Sequence, residues 1–256
     1  MNKSKSLAQE KKFLSNMQEV VNAQKTISIV QISNSQIDLK CAMQFQASLY
    51  KSISNILQIT DKIPLEFRFT NKQSNYIYII IGAEKGFCGG FNASILHFTK
   101  SLDIKKSYIF GLDLHRLMPY FNFGGNITLS FNTLVKFAGF ILNKLHLQEI
   151  GLKIIYTNSS QEIIIENLLP LIHYTKIDES KDVDQNISHL SYIVLASKIY
   201  RAIKESAYAE HMQRIISMEQ ASDNCAKTLN LIKIKLNKLR QEDITNEILQ
   251  IAASSI

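Results

Sequence analysis

All nine glycines of this 256-residue chain fall between Gly82 and Gly151, and its three prolines are Pro64, Pro119 and Pro170. Residues 1–63 therefore hold neither residue, and nor does any position after Pro170. Glycine and proline cost a helix interior roughly 1 and 3 kcal/mol, so they punctuate a chain more strongly than any other residue. Two long unpunctuated arms around a punctuated middle predict two long helices flanking a compact domain.

The last arm has the matching periodicity. Ile193, Ala196, Tyr200, Ile203, Ala207, His211, Ile215 and Met218 recur at helical steps, and Cys225, Leu229, Ile232, Leu236 and Leu239 form a heptad seam. A helix from Ser188 to Ile251 would be on the order of 90 Å long at ~1.5 Å per residue. A domain of this size cannot bury such a rod, so the rod must pair with another helix or enter a partner. The first arm is the obvious mate. Its expected stripe is Val30, Ile37, Cys41, Phe45, Leu49, Ile53 and Ile56, although polar filling at Gln31–Gln36 lowers helix propensity there. The simplest pairing is an antiparallel coiled coil.

Between the arms the period changes. Leu65–Thr70, Tyr76–Ile81, Ser107–Phe110, Ile127–Phe131 and Leu152–Thr157 predict strands, and Thr133–Leu147 predicts an amphipathic helix. Alternating strands and helices imply a small α/β domain with a mostly parallel sheet. The expected division is an N-terminal helix over 1–63, a central α/β domain over 64–187 and a C-terminal helix over 188–256.

Composition removes several function classes. With 46% hydrophobic and 20% charged residues, wholesale disorder is excluded. No apolar run approaches the ~20 residues that cross a bilayer. Met1–Lys12 is lysine-rich with no apolar region after it, so no secretory signal is expected. Cys41, Cys88 and Cys225 are odd in number and far apart, which fits a reducing compartment. The net charge is +7: the three segments carry +4, +1 and +2, so most of the bias sits on the arms. No acid interrupts Lys227, Lys233, Lys235, Lys238 and Arg240. This is either a solvated helix face or a basic shaft moving against an acidic surface.

Nothing nominates an enzyme. The glycine-rich segment Gly82–Asn92 sits where a phosphate-cradling loop would, but its spacing matches neither the dinucleotide fingerprint nor the P-loop. Gly86, Gly89 and Gly90 read instead as structural glycines of a tight strand-to-helix turn. Cys88 has only His97 near it in sequence, so a packed thiol is expected. The six histidines show no metal spacing, and no CxxC pair occurs. Glu162 and Glu166, four apart, read as ordinary solvent-facing residues. Only five of 29 basic residues are arginine and no zinc-finger, RNP or basic-zipper pattern is present, so nucleic acid is not an expected partner.

Four islands resemble one family, in its order. Ile199–His211, Met212-Gln-Arg214, Met218, Ala221-Ser-Asp-Asn224, Asn237–Gln241 and Ile244–Ile248 look like the C-terminal helix of the gamma subunit of F-type ATP synthase. Gly86-Phe-Cys-Gly-Gly-Phe-Asn92 resembles its glycine loop, Asn167-Leu-Leu-Pro-Leu171 its approach to the last helix, and Asn22-Ala-Gln-Lys25 its first helix. The resemblance implies a Rossmann-like α/β domain that binds no dinucleotide or other cofactor. It also implies a rotor shaft, without a catalytic site of its own, inside a ring of alpha and beta subunits. The domain would join the epsilon subunit and sit on the c-ring, peripheral to the cytoplasmic side of a bacterial inner membrane. The start lacks an Arg-rich, transit-like composition, which favours the bacterial over the organellar setting. By motif position, Arg240, Gln241, Thr245 and Glu247 would contact the beta subunit, with Gln24 and Lys25 as the cluster on the first helix. Thr26–Gln44, rich in Lys and Arg in the family, carries only Lys40 and Asp38 as charged residues. That departure motivates the alternative of a degenerate paralogue serving as a structural or assembly protein. A more distant alternative is a small α/β enzyme using the Gly82–Asn92 loop.

Overall fold

The computed structural model describes residues 2–59, 76–102, 104, 106–146, 151–169, 171 and 185–254. The two arms are helices: α1 runs Asn2–Ile59, and the last helix, α5, runs Gln185–Ser254. Between them lie β1 (Tyr76–Ile81), α2 (Phe91–Lys100), β2 (Lys106–Phe110), α3 (Leu112–Leu117), β3 (Asn122–Gly125), α4 (Phe131–His146), β4 (Gly151–Thr157) and β5 (Ile163–Asn167). Two compact units result, one of Met1–Ile29 with Arg214–Ile256 and one of Val30–Gln213, so each long helix contributes to both.

In the larger unit the sheet order is β3-β2-β1-β4-β5. β1, β2, β3 and β4 are parallel, and β5 pairs antiparallel with β4. The fold is thus a mostly parallel Rossmann-like sheet with long terminal helices. β1 is buried on both faces, which is why Tyr-Ile-Tyr-Ile-Ile-Ile is nearly continuous in apolar residues. Ile77, Ile79 and Ile81 share one core with Leu134, Ala138 and Ile141 of α4 and with Val194–Ile203 of α5. Ile80 belongs to the opposite core, with Ile95 of α2, Leu114 of α3 and Ala209 of α5. Period-two alternation therefore sorts one strand between two helical layers.

Ile127–Phe131 is not a strand: Ile127 lies in a turn and Phe131 begins α4. The third parallel strand is Asn122–Gly125, whose glycines have poor strand propensity. Its register follows β2, with a shift between Ile109 and Phe110, so pairing outweighs propensity. Leu65–Thr70 lies outside the described residues. β5 had not been expected. Glu162 and Glu166 suggested helical spacing, yet Ile163–Ile165 is a β-branched run.

The seam of α1 also differs from the expected stripe. Val30, Ile37 and Phe45 are exposed, at 58%, 61% and 44%. Covered positions step alternately by three and four: Leu14, Gln18, Val21, Lys25 and Ser28 in the smaller unit, and Leu39, Ala42, Gln46, Leu49 and Ile53 in the larger. This is a heptad seam whose members are often polar or small, so an apolar count finds a neighbouring face instead. On α5 the expected seam holds: Ile232 is buried, and Cys225, Leu229, Leu236 and Leu239 are half-buried. Over Ser191–Glu210 burial extends around the helix, which therefore has no single apolar stripe.

Candidate functional site

The order in which strands are added reverses between β1 and β4, and α/β folds of this topology place their ligand crevice outside the strand ends at such a point. The ends of β1, β2 and β3, on one side of that point, are tied to one another by the chain's own carboxylates. The Glu84 Oε2 atom accepts from the backbone N–H of Leu112 at 3.3 Å and of Ile127 at 3.1 Å. Glu210, buried on α5, accepts from the Glu84 N–H at 3.1 Å. Asn92 Oδ1 accepts from Ala83 N–H at 2.9 Å, and its Nδ2 donates to Asp113 at 2.7 Å. Backbone donors of the kind that hold phosphate in related topologies are thus already bonded to carboxylates.

The glycine loop divides its labour. Phe87 and Gly89 take positive φ, 65° and 57°. Cys88 turns inward and is buried, its Sγ 3.7 Å from the Lys85 carbonyl oxygen, while Phe87 is 73% exposed. A Cβ at Gly86 or Gly90 would meet nothing within 4 Å. Gly111, outside that loop, is the glycine pressed against backbone rather than side chain. It sits at φ +104°, and a Cβ there would lie 2.5 Å from the Gly82 carbonyl oxygen. That approach lets the ends of β1 and β2 come together, and spacing alone does not reveal it. His97 is exposed on α2.

A second polar group joins α5 to β4 and β5. Arg201 donates to Glu166, to Tyr156 Oη at 3.3 Å and to Glu205 at 3.0 Å. Gln161 Nε2 donates to the Ala209 carbonyl at 2.9 Å. Lys198 donates to the Leu168 carbonyl at 3.2 Å, and burial pushes its pKa down to about 8 against the pull of Glu166. Burial likewise raises Tyr156 and lifts Tyr50 to about 12. Glu84, Arg201 and Glu210 were not singled out by sequence reasoning, and Glu166, read as an ordinary solvent-facing residue, is instead half-buried and paired with Arg201. Each became visible only when a partner more than 30 positions away was placed beside it.

In the smaller unit the helices run antiparallel. Lys25 pairs with Glu219 at 2.9 Å, and three residues down α1 Asn22 accepts from Ser222 at 3.2 Å, three residues up α5. Gln24 and Lys25 are half-buried. Arg240, Gln241, Thr245 and Glu247 are all exposed, and Thr245 Oγ1 donates to the Gln241 carbonyl at 2.8 Å. The two clusters are not brought together. Glu219, the partner of Lys25, precedes Arg240 by 21 residues, about 30 Å along a helix. Every described residue over Gln241–Ser254 is exposed, including Ile244, Ile248 and Ile251.

A mostly parallel Rossmann-like sheet in a chain with helices of 58 and 70 residues on either side of it in sequence defines an α/β protein with long terminal helices. Among known proteins, the family model described as ATP synthase matches residues 3–255. The chain belongs to that family, as a divergent gamma chain of F-type ATP synthase. It is 27% identical to the ATP synthase gamma chain of Amoebophilus asiaticus, covering 93% of this chain and 92% of that one. To the ATP synthase gamma chain of a Wolbachia species it is 23% identical, covering 98% of each. Its fold is similar to a chain in the Euglena gracilis mitochondrial ATP synthase rotor (TM-score 0.65, 15% identity, 95% and 99% covered). It is also similar to one in the Tetrahymena thermophila central stalk and c-ring (TM-score 0.61, 19% identity, 79% and 99% covered).

Proposed function

We propose that this chain is the central shaft of its ATP synthase, coupling rotation of a membrane c-ring to conformational change at ATP sites on the beta subunits. The observation that carries this reading is the last turns of α5. Ile244, Ile248 and Ile251 stand at helical spacing with 44%, 60% and 68% of their surface exposed, on a stretch with no covered residue. An apolar stripe of this kind calls for a partner surface. The chains of similar fold belong to a rotor and to a central stalk, which supports the same reading.

In this proposal the alpha and beta subunits surround the terminal helices, and the epsilon subunit and c-ring engage the α/β domain. The working division is 1–63, 64–187 and 188–256. Arg240, Gln241, Thr245 and Glu247 touch the beta subunits, with Gln24 and Lys25 as the cluster on α1 and Gly86, Gly89 and Gly90 shaping the loop after β1. The chain carries no ATP chemistry of its own. Coupling requires each shaft orientation to bind one beta conformation more favourably than the others, and exposed polar side chains on one side of a helix supply such directional contacts. No helix among the described residues is long and apolar enough to cross a membrane. In this reading the chain is held at the cytoplasmic face of a bacterial inner membrane through its partners.

The test starts with affinity purification of the chain from its own detergent-solubilised membranes. Alpha, beta, epsilon and c subunits are expected to co-elute. Elution alone, while those subunits assemble around another gamma chain, would establish the structural paralogue that the altered Thr26–Gln44 segment suggests. In the recovered complex, Arg240→Ala with Gln241→Ala is expected to lower ion transport per ATP hydrolysed without unfolding the chain. Unchanged coupling would remove those residues from the contact set.

A further inference from the structure

α5 runs past Gln213, the last residue of the larger unit, to Ser254. If that helix could slip about its own axis within the unit, a rotation of the unit would not be passed along the helix. Apolar packing holds a helix on a sheet but is non-directional. Hydrogen bonds and ion pairs have preferred directions and fix azimuth.

The polar contacts of α5 are placed to do this. Arg201 grips Glu166 on β5 and Tyr156 on β4. Glu210 accepts from Glu84 N–H beyond β1. The two positions are nine residues apart, and at ~100° per residue they project from opposite sides of the helix, about 180° apart. Neither anchor is a loose loop. Glu166 is in the β4–β5 ladder, opposite Ile154. Glu84 is tied to the segments after β2 and β3 through Leu112 and Ile127. Between the two contacts, Gln161 holds the Ala209 carbonyl at 2.9 Å.

We infer that Arg201–Glu166 and Glu210–Glu84 act as an opposed pair that locks α5 against turning in the α/β unit, making Glu84 and Glu166 positioning residues for rotary coupling. Two directional contacts on opposite sides of a rod resist rotation where either one alone would act as a pivot. The carboxylates at the strand ends then have a mechanical task in the place where other α/β proteins bind a ligand. This inference rests on the shaft reading above.

The test uses the chain assembled with its ATP synthase partners. Arg201→Met and Glu210→Ala are made singly and together, with Glu210→Gln as the variant that keeps an acceptor oxygen. Single-molecule torsional stiffness is read with a probe on the α/β domain, alongside ATP hydrolysis and ions moved per ATP. Because either contact alone is a pivot, each single variant is expected to lose at least about half the stiffness and the double variant little more, with transport per ATP falling while hydrolysis persists. Glu210→Gln is expected to stay near the unsubstituted chain. A double variant with unchanged stiffness and transport overturns the lock. If the double variant fails to assemble, the single variants decide: loss of stiffness in each supports the lock, and no loss in either overturns it. An unsubstituted chain that drives no rotation overturns the shaft reading itself, and the lock with it.

Discussion

Lys198 is the residue whose environment has the clearest consequence. It is 8% exposed, within reach of Glu166 and Arg201, and burial lowers its pKa from 10.5 to about 8. Below pH 8 both folded and unfolded chains carry this proton, so the cost of burying the charge is fully present. Between about pH 8 and 10.4 the unfolded chain binds a proton that the folded one does not, and stability rises with pH. Tyr50 works the other way. Its folded pKa of about 12 favours the protonated form, so its contribution is present below pH 10 and is lost towards pH 12. Urea unfolding at constant ionic strength should therefore show stability rising from pH 8 to about pH 10, then falling. Lys198→Met should remove about 2–3 kcal/mol of that rise, at ~1.4 kcal/mol per pKa unit. A rise of the same size in the variant would refute the assignment. No part of this could be read from the sequence, where Lys198 is one lysine in a helical stretch. Its burial depends on the Leu168 carbonyl, 30 positions earlier.

At the scale of elements, α1 shows how a correct helix can carry a misjudged face. A breaker-free arm declares itself, because a helix interior tolerates glycine and proline poorly. Which side faces the partner depends on the partner, and on α1 the covered side includes Gln18, Lys25, Ser28 and Gln46. Ile53 and Ile37 separate the two faces cleanly, at 1% and 61% exposure. Ile53→Ala should cost about 2–5 kcal/mol, whereas Ile37→Ala should stay within about 0.5 kcal/mol. Chemical denaturation of the two variants checks this, and equal costs would restore the stripe through Val30 and Ile37. β1, β2, β4 and α4 were legible because buried parallel strands and an amphipathic helix write their burial into composition. β3 was not, because an edge strand of Asn-Phe-Gly-Gly takes its conformation from β2.

For the whole molecule, the distribution of charge outweighs its total. The antiparallel register set by Lys25–Glu219 brings residues 5–12 alongside the stretch before Arg240. Residues 5–12 and 227–240 together hold eight basic residues and only Glu10 as an acid, a net +7 equal to that of the entire chain. None of the eight forms an ion pair among the described residues. If the proposed shaft meets an acidic ring surface, Lys233→Gln, Lys235→Gln and Lys238→Gln together should slow association with the alpha and beta subunits roughly three- to tenfold at low salt. The difference should fade once salt screens exposed charges beyond a few ångströms. Equal rates at low salt would make this a plain solvated face.

The sequence by itself determined the two long helices, the α/β class of the middle, the α5 seam and the family. These are written in local periodicity, in the placement of breakers and in contiguous motifs. Only the tertiary structure decided which face of α1 is covered, that β5 pairs antiparallel with β4, and that Glu84 and Glu210 close the strand ends while Arg201 grips β5. Those features are pairings between residues far apart in the chain. A carboxylate's partner is chosen by the fold that brings a backbone N–H to 3.1 or 3.3 Å from it, and no spacing along the chain encodes that distance.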